Sequence, residues 1–197
     1  MFRRALMINE QCFGKDHPNV ARALNNLAGL LQMTYRLDEA ESMYRRAMEI
    51  NEQSFGKDHP DVSTILNSLA TLLQLTYRLD EAESMYRRAL AINEQSFGKD
   101  DPSVAIVLSN LGALLQAKNR FDEAEPLMRR ALQNAEQSFG RDHPKVALRL
   151  NLLAELLKDT GRLTEAELLA RRALEIDEQS LGKDHPDVAD SLNTLAG

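Results

Sequence analysis

The chain has 197 residues, a formal net charge of −6 and only 5% aromatic residues, so a core must be built mainly from Leu, Ala, Met and Val. The negative charge argues against nucleic acid as a partner, because phosphate binding needs a basic surface. No stretch is apolar enough to span a bilayer and no secretory signal core follows Phe2, so we expect a cytoplasmic protein with no membrane partner.

A period of 42 residues organises the whole sequence. His-Pro pairs begin at His17, His59, His143 and His185, and Asp101-Pro102 fills the remaining step. Phe-Gly and Arg-Arg pairs recur at the same interval, which indicates a repeat array. We therefore predict one array over residues 1–197, with full repeats at 17–58, 59–100, 101–142 and 143–184, a lone second helix at 1–16 and a lone first helix at 185–197.

Each repeat predicts two helices, as the one beginning at His59 illustrates. Pro60 suits the first helical position and Asp58 or His59 the cap, so the first helix should run from Pro60 to between Leu75 and Tyr77. The second should start near Asp80 and end at Gly98, in a left-handed backbone. The predicted buried positions are Val62, Leu66, Leu69, Ala70 and Leu73 in the first helix and Ala82, Tyr86, Ala89 and Leu90 in the second.

These large and small residues resemble the tetratricopeptide signature over the whole chain. The segments Leu24–Ala28 and Lys57–Val62 are similar to the long repeats of kinesin light chains and of related bacterial arrays. The resemblance implies an all-α, right-handed superhelical solenoid of antiparallel helix hairpins, in which the first helices line a concave groove. Leu66 replaces the family's tryptophan and Glu94 its terminal proline, so we expect longer helices than the short repeats have.

The turn between the two helices of a repeat contains one local conflict. Gly161 suits a left-handed backbone there and Asn119 tolerates one, but Tyr35 and Tyr77 occupy the same column. We expect either strain or a different turn at the two tyrosines.

No residue pattern predicts catalysis, a metal site or a cofactor. The four histidines lie in different repeats at a capping position, too far apart to share the short bonds of a zinc ion. The first Arg of each Arg-Arg pair follows a Glu by four residues, which favours exposed ion pairs over a phosphate-binding stripe. We therefore expect a protein that is not an enzyme.

Polar columns on the first helices are the candidate binding residues. Asn and Gln side chains both donate and accept hydrogen bonds, so they can pair with the backbone of an extended peptide. The kinesin light chain resemblance implies the same contact for the Asn column, although these side chains could instead only join neighbouring helices. The predicted groove residues are Arg22, Asn25, Gln32, Thr64, Asn67, Thr71, Gln74, Ile106, Ser109, Gln116, Asn151, Glu155, Lys158 and Asn193.

Two functional hypotheses follow. In the first, the chain is a fragment of a larger protein and binds a peptide or a partner domain in the groove. In the second, it is a structural spacer, a sensor or a self-associating arm that controls a fused effector domain. Apolar residues such as Leu192 and Leu195 in the last, unpaired helix also predict end-to-end self-association.

Overall fold

The computed structural model describes residues 2–196, with the side chain of residue 196 excepted, and over this range the chain forms ten α-helices and no β-strand. The helices are α1 Phe2–Phe13, α2 Pro18–Met33, α3 Leu37–Phe55, α4 Pro60–Leu75, α5 Leu79–Phe97, α6 Pro102–Ala117, α7 Phe121–Phe139, α8 Pro144–Asp159, α9 Leu163–Leu181 and α10 Pro186–Ala196. We refer to the even-numbered helices as first helices and to the odd-numbered ones as second helices. The fold is the all-α helical solenoid that the sequence predicts.

The chain divides into two compact units. Unit 1 extends to Ser96 and unit 2 begins at Phe97. In unit 1, α2 packs against α3 and α3 against α4; in unit 2, α8 packs against α7 and α9, and α10 packs against α9. Each unit thus buries the apolar faces of its own helices.

A histidine caps the start of most first helices. Of the two residues predicted to cap α4, Asp58 and His59, it is His59 that does so. The Nδ1 atom of His59 accepts a hydrogen bond from the Asp61 backbone N–H at 3.2 Å, and Pro60 occupies the first helical turn. The His59 ring also stacks on the Phe55 ring at the end of α3, with centroids 4.5 Å apart. At α6 an aspartate has the same role, since Asp101 Oδ1 accepts from the Ser103 N–H at 2.8 Å. The ring nitrogens facing these helices are therefore used locally, as caps.

The turn between paired helices is the same in all four full hairpins. Tyr35, Tyr77 and Asn119 have φ of 56°, 58° and 57°, and Gly161 has φ of 76°. In the first of these turns the Arg36 N–H donates to the Leu31 carbonyl at 2.9 Å and the Tyr35 N–H to the Gln32 carbonyl at 3.0 Å, which is a Schellman motif. Tyr35 and Tyr77 therefore adopt the strained left-handed backbone, and the alternative expectation, a different turn, is wrong.

The second helices end at glycines, but not in the left-handed helical conformation expected. Gly98 has a φ of +88°, and the corresponding Gly56 has φ of 90° with ψ of 163°. This pair of angles lies in the extended region at positive φ that only glycine enters readily. At Gly56 the chain therefore leaves the helix in an extended conformation at positive φ.

The core consists of Leu and Ala from both helices of each pair. Eight of the nine positions predicted to be buried in α4 and α5 are buried, and the ninth, Leu90, is half-buried. At Gly112 of α6 the paired helix lies close, because a Cβ atom there would lie 2.7 Å from Met128 Cγ. The corresponding residues in the other full repeats are alanines, and Met128 stands where those repeats have Tyr44, Tyr86 and Ala170, so the missing methyl at Gly112 accommodates the Met128 side chain.

Candidate functional site

The predicted groove residues of unit 1 lie on α2 and α4. Arg22 and Thr64 are exposed, whereas Asn25, Asn67, Thr71, Gln32 and Gln74 are half-buried. Tyrosines of the second helices hold the glutamines: the Tyr44 hydroxyl donates to Gln32 Oε1 at 3.2 Å, and the Tyr86 hydroxyl reaches Gln74 Oε1 at 3.5 Å and Thr71 Oγ1 at 2.9 Å. These bonds hold the amide oxygens of Gln32 and Gln74 and do not involve their amide nitrogens.

A cavity of about 450 Å³ separates α2 from α4. We refer to it as the Asn51 cavity, because Asn51 of α3 reaches into it between the two first helices. Asn25 of α2 also lines it. The Oδ1 atoms of both asparagines are buried and accept no hydrogen bond from any residue in the described part of the chain. Unpaired buried acceptors are costly, by about 1–3 kcal/mol each, so both atoms favour a bound donor.

The predicted groove residues of unit 2 lie on α6, α8 and α10, and three of them bind a residue of the neighbouring first helix. Gln116 Nε2 donates to Asp159 Oδ2 at 2.6 Å, and Asn151 Nδ2 donates to Ser191 Oγ at 2.7 Å. Lys158 Nζ donates to the Thr194 carbonyl at 3.1 Å. These three bonds join consecutive first helices, which is the joining role considered for the polar columns.

The remaining unit 2 positions differ in accessibility. Ile106, Glu155 and Asn193 are exposed, whereas Ser109 is buried and its hydroxyl donates to the Ala105 carbonyl at 2.9 Å within α6. A ligand could reach the first three residues directly.

A second cavity, of about 260 Å³, lies between α8 and α10. We refer to it as the Asp177 cavity, after the residue of α9 that reaches into it. Its lining corresponds position by position to that of the Asn51 cavity, three repeats further along: Asn151 corresponds to Asn25, and Asp177 to Asn51. The Oδ1 atom of Asn151 is buried and has no hydrogen-bond partner between residues 2 and 196.

The column of Asn9, Asn51, Asn93 and Asp177 on the second helices was missed by the sequence reasoning. Asn9 Nδ2 donates to the Asn19 carbonyl at 3.3 Å, and Asn51 Nδ2 to the Asp61 carbonyl at 3.5 Å, so the column anchors the first turn of the next first helix. Ser63 Oγ donates to Asn93 Oδ1 at 2.6 Å. The recurrence of Asn at the 42-residue step, within otherwise exposed and charged helix ends, is the signal that could have found it.

The arginine pairs have structural partners, as the i to i+4 spacing predicts. Arg45 lies 2.7 Å from Glu41 and also 2.6 Å from Glu81 of the next second helix. The second arginine of each pair binds the preceding loop: Arg46 and Arg88 donate to the carbonyls of Lys15 and Lys57, at 3.1 and 2.6 Å. Their guanidinium groups hold the repeat together, which leaves little of their charge for a phosphate-binding stripe.

Family comparison agrees with the periodicity and the helix pairs. The tetratricopeptide repeat model matches residues 1–53, 20–95, 61–137, 103–179 and 150–197, which together span the chain. The chain belongs to the tetratricopeptide repeat family. No curated protein matches it in sequence.

Solved structures of kinesin light chain-like repeat proteins have the same fold. BtubC (BKLC) from P. vanneervenii is 25% identical, with a TM-score of 0.82 over 98% of this chain and 77% of that one. The nearly identical TPR-like repeats of a kinesin light chain candidate from Podosopora anserina are 19% identical, with a TM-score of 0.72 over 91% of this chain and 85% of that one. A variant of the latter protein has 18% identity, a TM-score of 0.74 and coverages of 91% and 84%. The Podosopora structures support the fold alone.

Family membership gives the general function. Tetratricopeptide repeats generally mediate protein–protein interaction, and the fold is typically a non-enzymatic scaffold. None of the helices between residues 2 and 196 combines the length and the apolarity that crossing a bilayer would take.

Proposed function

We propose that the chain is a protein-binding module whose first helices take up an extended segment of a partner. The observation that carries the proposal is the unpaired amide oxygen of Asn25. The Oδ1 atom of Asn25 accepts no hydrogen bond from the described part of the chain, so a role in joining helices does not explain it. Its oxygen lies in the lining of the Asn51 cavity, where a backbone N–H of a partner segment is a suitable donor.

Nine of the fourteen predicted groove residues fall into two groups under this proposal. Asn25, Arg22 and Thr64 of unit 1 and Ile106, Glu155 and Asn193 of unit 2 are accessible, or line a cavity, without holding another first helix in place. Asn151, Gln116 and Lys158 join first helices and shape the surface from beneath. Ser109 belongs to neither group, because it is buried and bonded within its own helix.

Selection of linear peptides from a displayed library, followed by titration of the selected peptides, tests the proposal. Asn25→Ala should weaken binding about tenfold, since a hydrogen bond in a desolvated site is worth about 1 kcal/mol or more. It should leave the melting temperature nearly unchanged, because no bond within the protein is lost. Gln53→Ala, on the exposed face of α3, is the matched control and should change neither quantity.

Two results would contradict the proposal. If the library yields no binding peptide, the chain does not recognise linear segments, and the spacer or sensor hypothesis becomes the better one. If Asn25→Ala lowers the melting temperature by as much as it weakens binding, Asn25 has a structural role after all.

A further inference from the structure

Asp177 is a buried carboxylate without a cationic partner. Its residue surface is only 3% exposed, and it lines the Asp177 cavity between α8 and α10. Ser191 Oγ donates to Asp177 Oδ2 at 2.7 Å, and no lysine or arginine between residues 2 and 196 forms an ion pair with this carboxylate. Buried carboxylates are normally paired with a cation or fully hydrogen-bonded, so this one is unusual.

The surroundings of Asp177 add negative charge. Asp187 and Asp190 of α10 line the same cavity. Lys145 is the one basic residue in the lining, and its Nζ atom lies 4.3 Å from the centroid of the Phe139 ring, with no ion pair to a carboxylate in the described chain. The cavity therefore has three carboxylates and one lysine that is bound to none of them; outside the lining, His185 Nδ1 lies 3.7 Å from Asp187 Oδ1.

The equivalent cavity in unit 1 keeps one of the three carboxylates, Asp61 in place of Asp187, and lacks the other two. Asn51 stands in place of Asp177, Thr64 in place of Asp190, and Arg22 in place of Leu148. Two cavities built by corresponding helices of different repeats thus differ in electrostatics, and the difference comes from particular residues and not from the fold.

The raised pKa of Asp177 agrees with a carboxylate that has no cationic partner. Burial raises the pKa of Asp177 and the nearby carboxylates of Asp187 and Asp190 raise it further, against the opposing effects of the Ser191 hydrogen bond and of His185. A positive group placed in the cavity would offset both burial and repulsion.

We propose that the Asp177 cavity is a subsite for a basic side chain, lysine or arginine, of the bound partner segment. This inference rests on the proposed function, because the basic group arrives on the same segment. The group donates to Asp177, and the accessible carboxylates of Asp187 and Asp190 surround it at the mouth of the cavity. A metal ion is a poorer occupant, since no three His, Cys, Asp or Glu side chains in the described chain are placed to hold one.

The preferred variant is Asp177→Asn. Asparagine occupies this column at Asn51 and Asn93, where the helices pack in the same way, so the variant should fold. It keeps an acceptor for Ser191 and removes the charge. Asp190→Asn, at an exposed position of α10, is a second variant that leaves the buried hydrogen bond to Ser191 untouched.

The experiment uses peptides selected from the displayed library, with any basic residue that they share replaced by a neutral one: citrulline for arginine, glutamine for lysine. On the natural chain the replacement should weaken binding about tenfold or more, as expected for a charged hydrogen-bonded pair. On Asp177→Asn the same replacement should cost less than about twofold, because the pair is already broken. Asp190→Asn should give an intermediate loss.

The outcomes separate this inference from the proposed function. Selected peptides that bind through Asn25 but share no basic residue would overturn the inference and leave the proposed function standing. A basic residue whose replacement costs the same on the natural chain and on Asp177→Asn would also overturn it, by locating the charge recognition elsewhere. A library that yields no binding peptide would contradict both the proposed function and the basic-residue subsite.

Discussion

Tyr77 occupies a left-handed backbone conformation whose free-energy cost its side chain does not offset. Its φ of 58° is almost the same as that of Asn119, in the corresponding turn of unit 2. The left-handed conformation costs an ordinary L-residue roughly 1–2 kcal/mol, and Asn less than most. Since the Tyr77 residue surface is 89% exposed, packing of the ring does not compensate for this cost.

Replacing Tyr77 with Asn should therefore stabilise the protein. We expect the free energy of unfolding to rise by roughly 0.5–1 kcal/mol, because strain is relieved and little buried surface is lost. For a chain of this size that corresponds to a melting temperature higher by about 1–4 °C, which calorimetry or circular dichroism can measure. Asn119→Tyr is the matched reverse change and should destabilise. A lower stability for Tyr77→Asn would mean that the exposed ring makes a contact important for folding.

At the scale of the helices, an ion-pair ladder connects α3 to α5. Glu41 binds Arg45 on its own helix and Arg78 in the turn between α4 and α5, at 2.7 and 2.8 Å. Glu81 binds the same two arginines, so four charges alternate across the joint. Burial would raise the pKa of Glu41, but the guanidinium groups of Arg78 and Arg45 outweigh it and lower the pKa below its ordinary value. The same arrangement recurs in unit 2 around Glu125, whose pKa is also lowered.

Glu41→Gln should destabilise the protein modestly and in a way that depends on pH. A carboxyl group whose pKa is lowered by folding stabilises the folded state above its unfolded pKa of about 4.3, and this contribution disappears as the pH falls through the lower folded value. The difference in unfolding free energy from the natural chain should be a few tenths to about 1 kcal/mol at pH 7 and vanish in acid. Urea titrations between neutral and acidic pH measure it.

Salt supplies an independent check on the same variant. In 1 M salt the Debye length falls to about 3 Å, so the effect of Glu41→Gln at pH 7 should shrink, because these pairs are partly exposed. Glu49→Gln, on the exposed face of the same helix, is the control and should change stability little under either condition. An effect of Glu41→Gln that is insensitive to both pH and salt would mean that the ladder acts through packing and not through charge.

At the scale of the whole molecule, the sequence predicts the helices well and the site less well. Pro60 and Gly98 mark helix ends through local backbone preferences that act without tertiary contacts, and the 42-residue step repeats those marks five times. Asn51 and Asp177 act across a packed joint, between two first helices that come together only on folding. Their role depends on packing distances, and periodicity alone does not contain these. The strain at Tyr77 has the same origin, because the neighbouring helices impose the turn on whatever residue lies there.

Each of the two units has a core of its own, which bears on how stability is distributed. In unit 2 a cluster of buried residues surrounds Leu150, including Val146, Ala173 and Ile176. Leu66 occupies the corresponding position of α4 in unit 1 and is also fully buried. In repeat arrays stability is approximately a sum of the terms for each repeat and for its contacts with neighbours, so damage to one repeat is felt most strongly nearby.

Leu150→Ala should therefore unfold unit 2 more readily than unit 1. Removing a buried leucine side chain costs about 2–5 kcal/mol, because contacts are lost and a cavity remains. Hydrogen exchange measured amide by amide should show the largest loss of protection in α8 and α9, with the amides of α2 and α3 much less affected. Leu66→Ala is the matched variant and should give the opposite distribution. If either change lowers protection equally in both units, the array unfolds as a single cooperative body, and ligand binding in one unit would then stabilise both to the same extent.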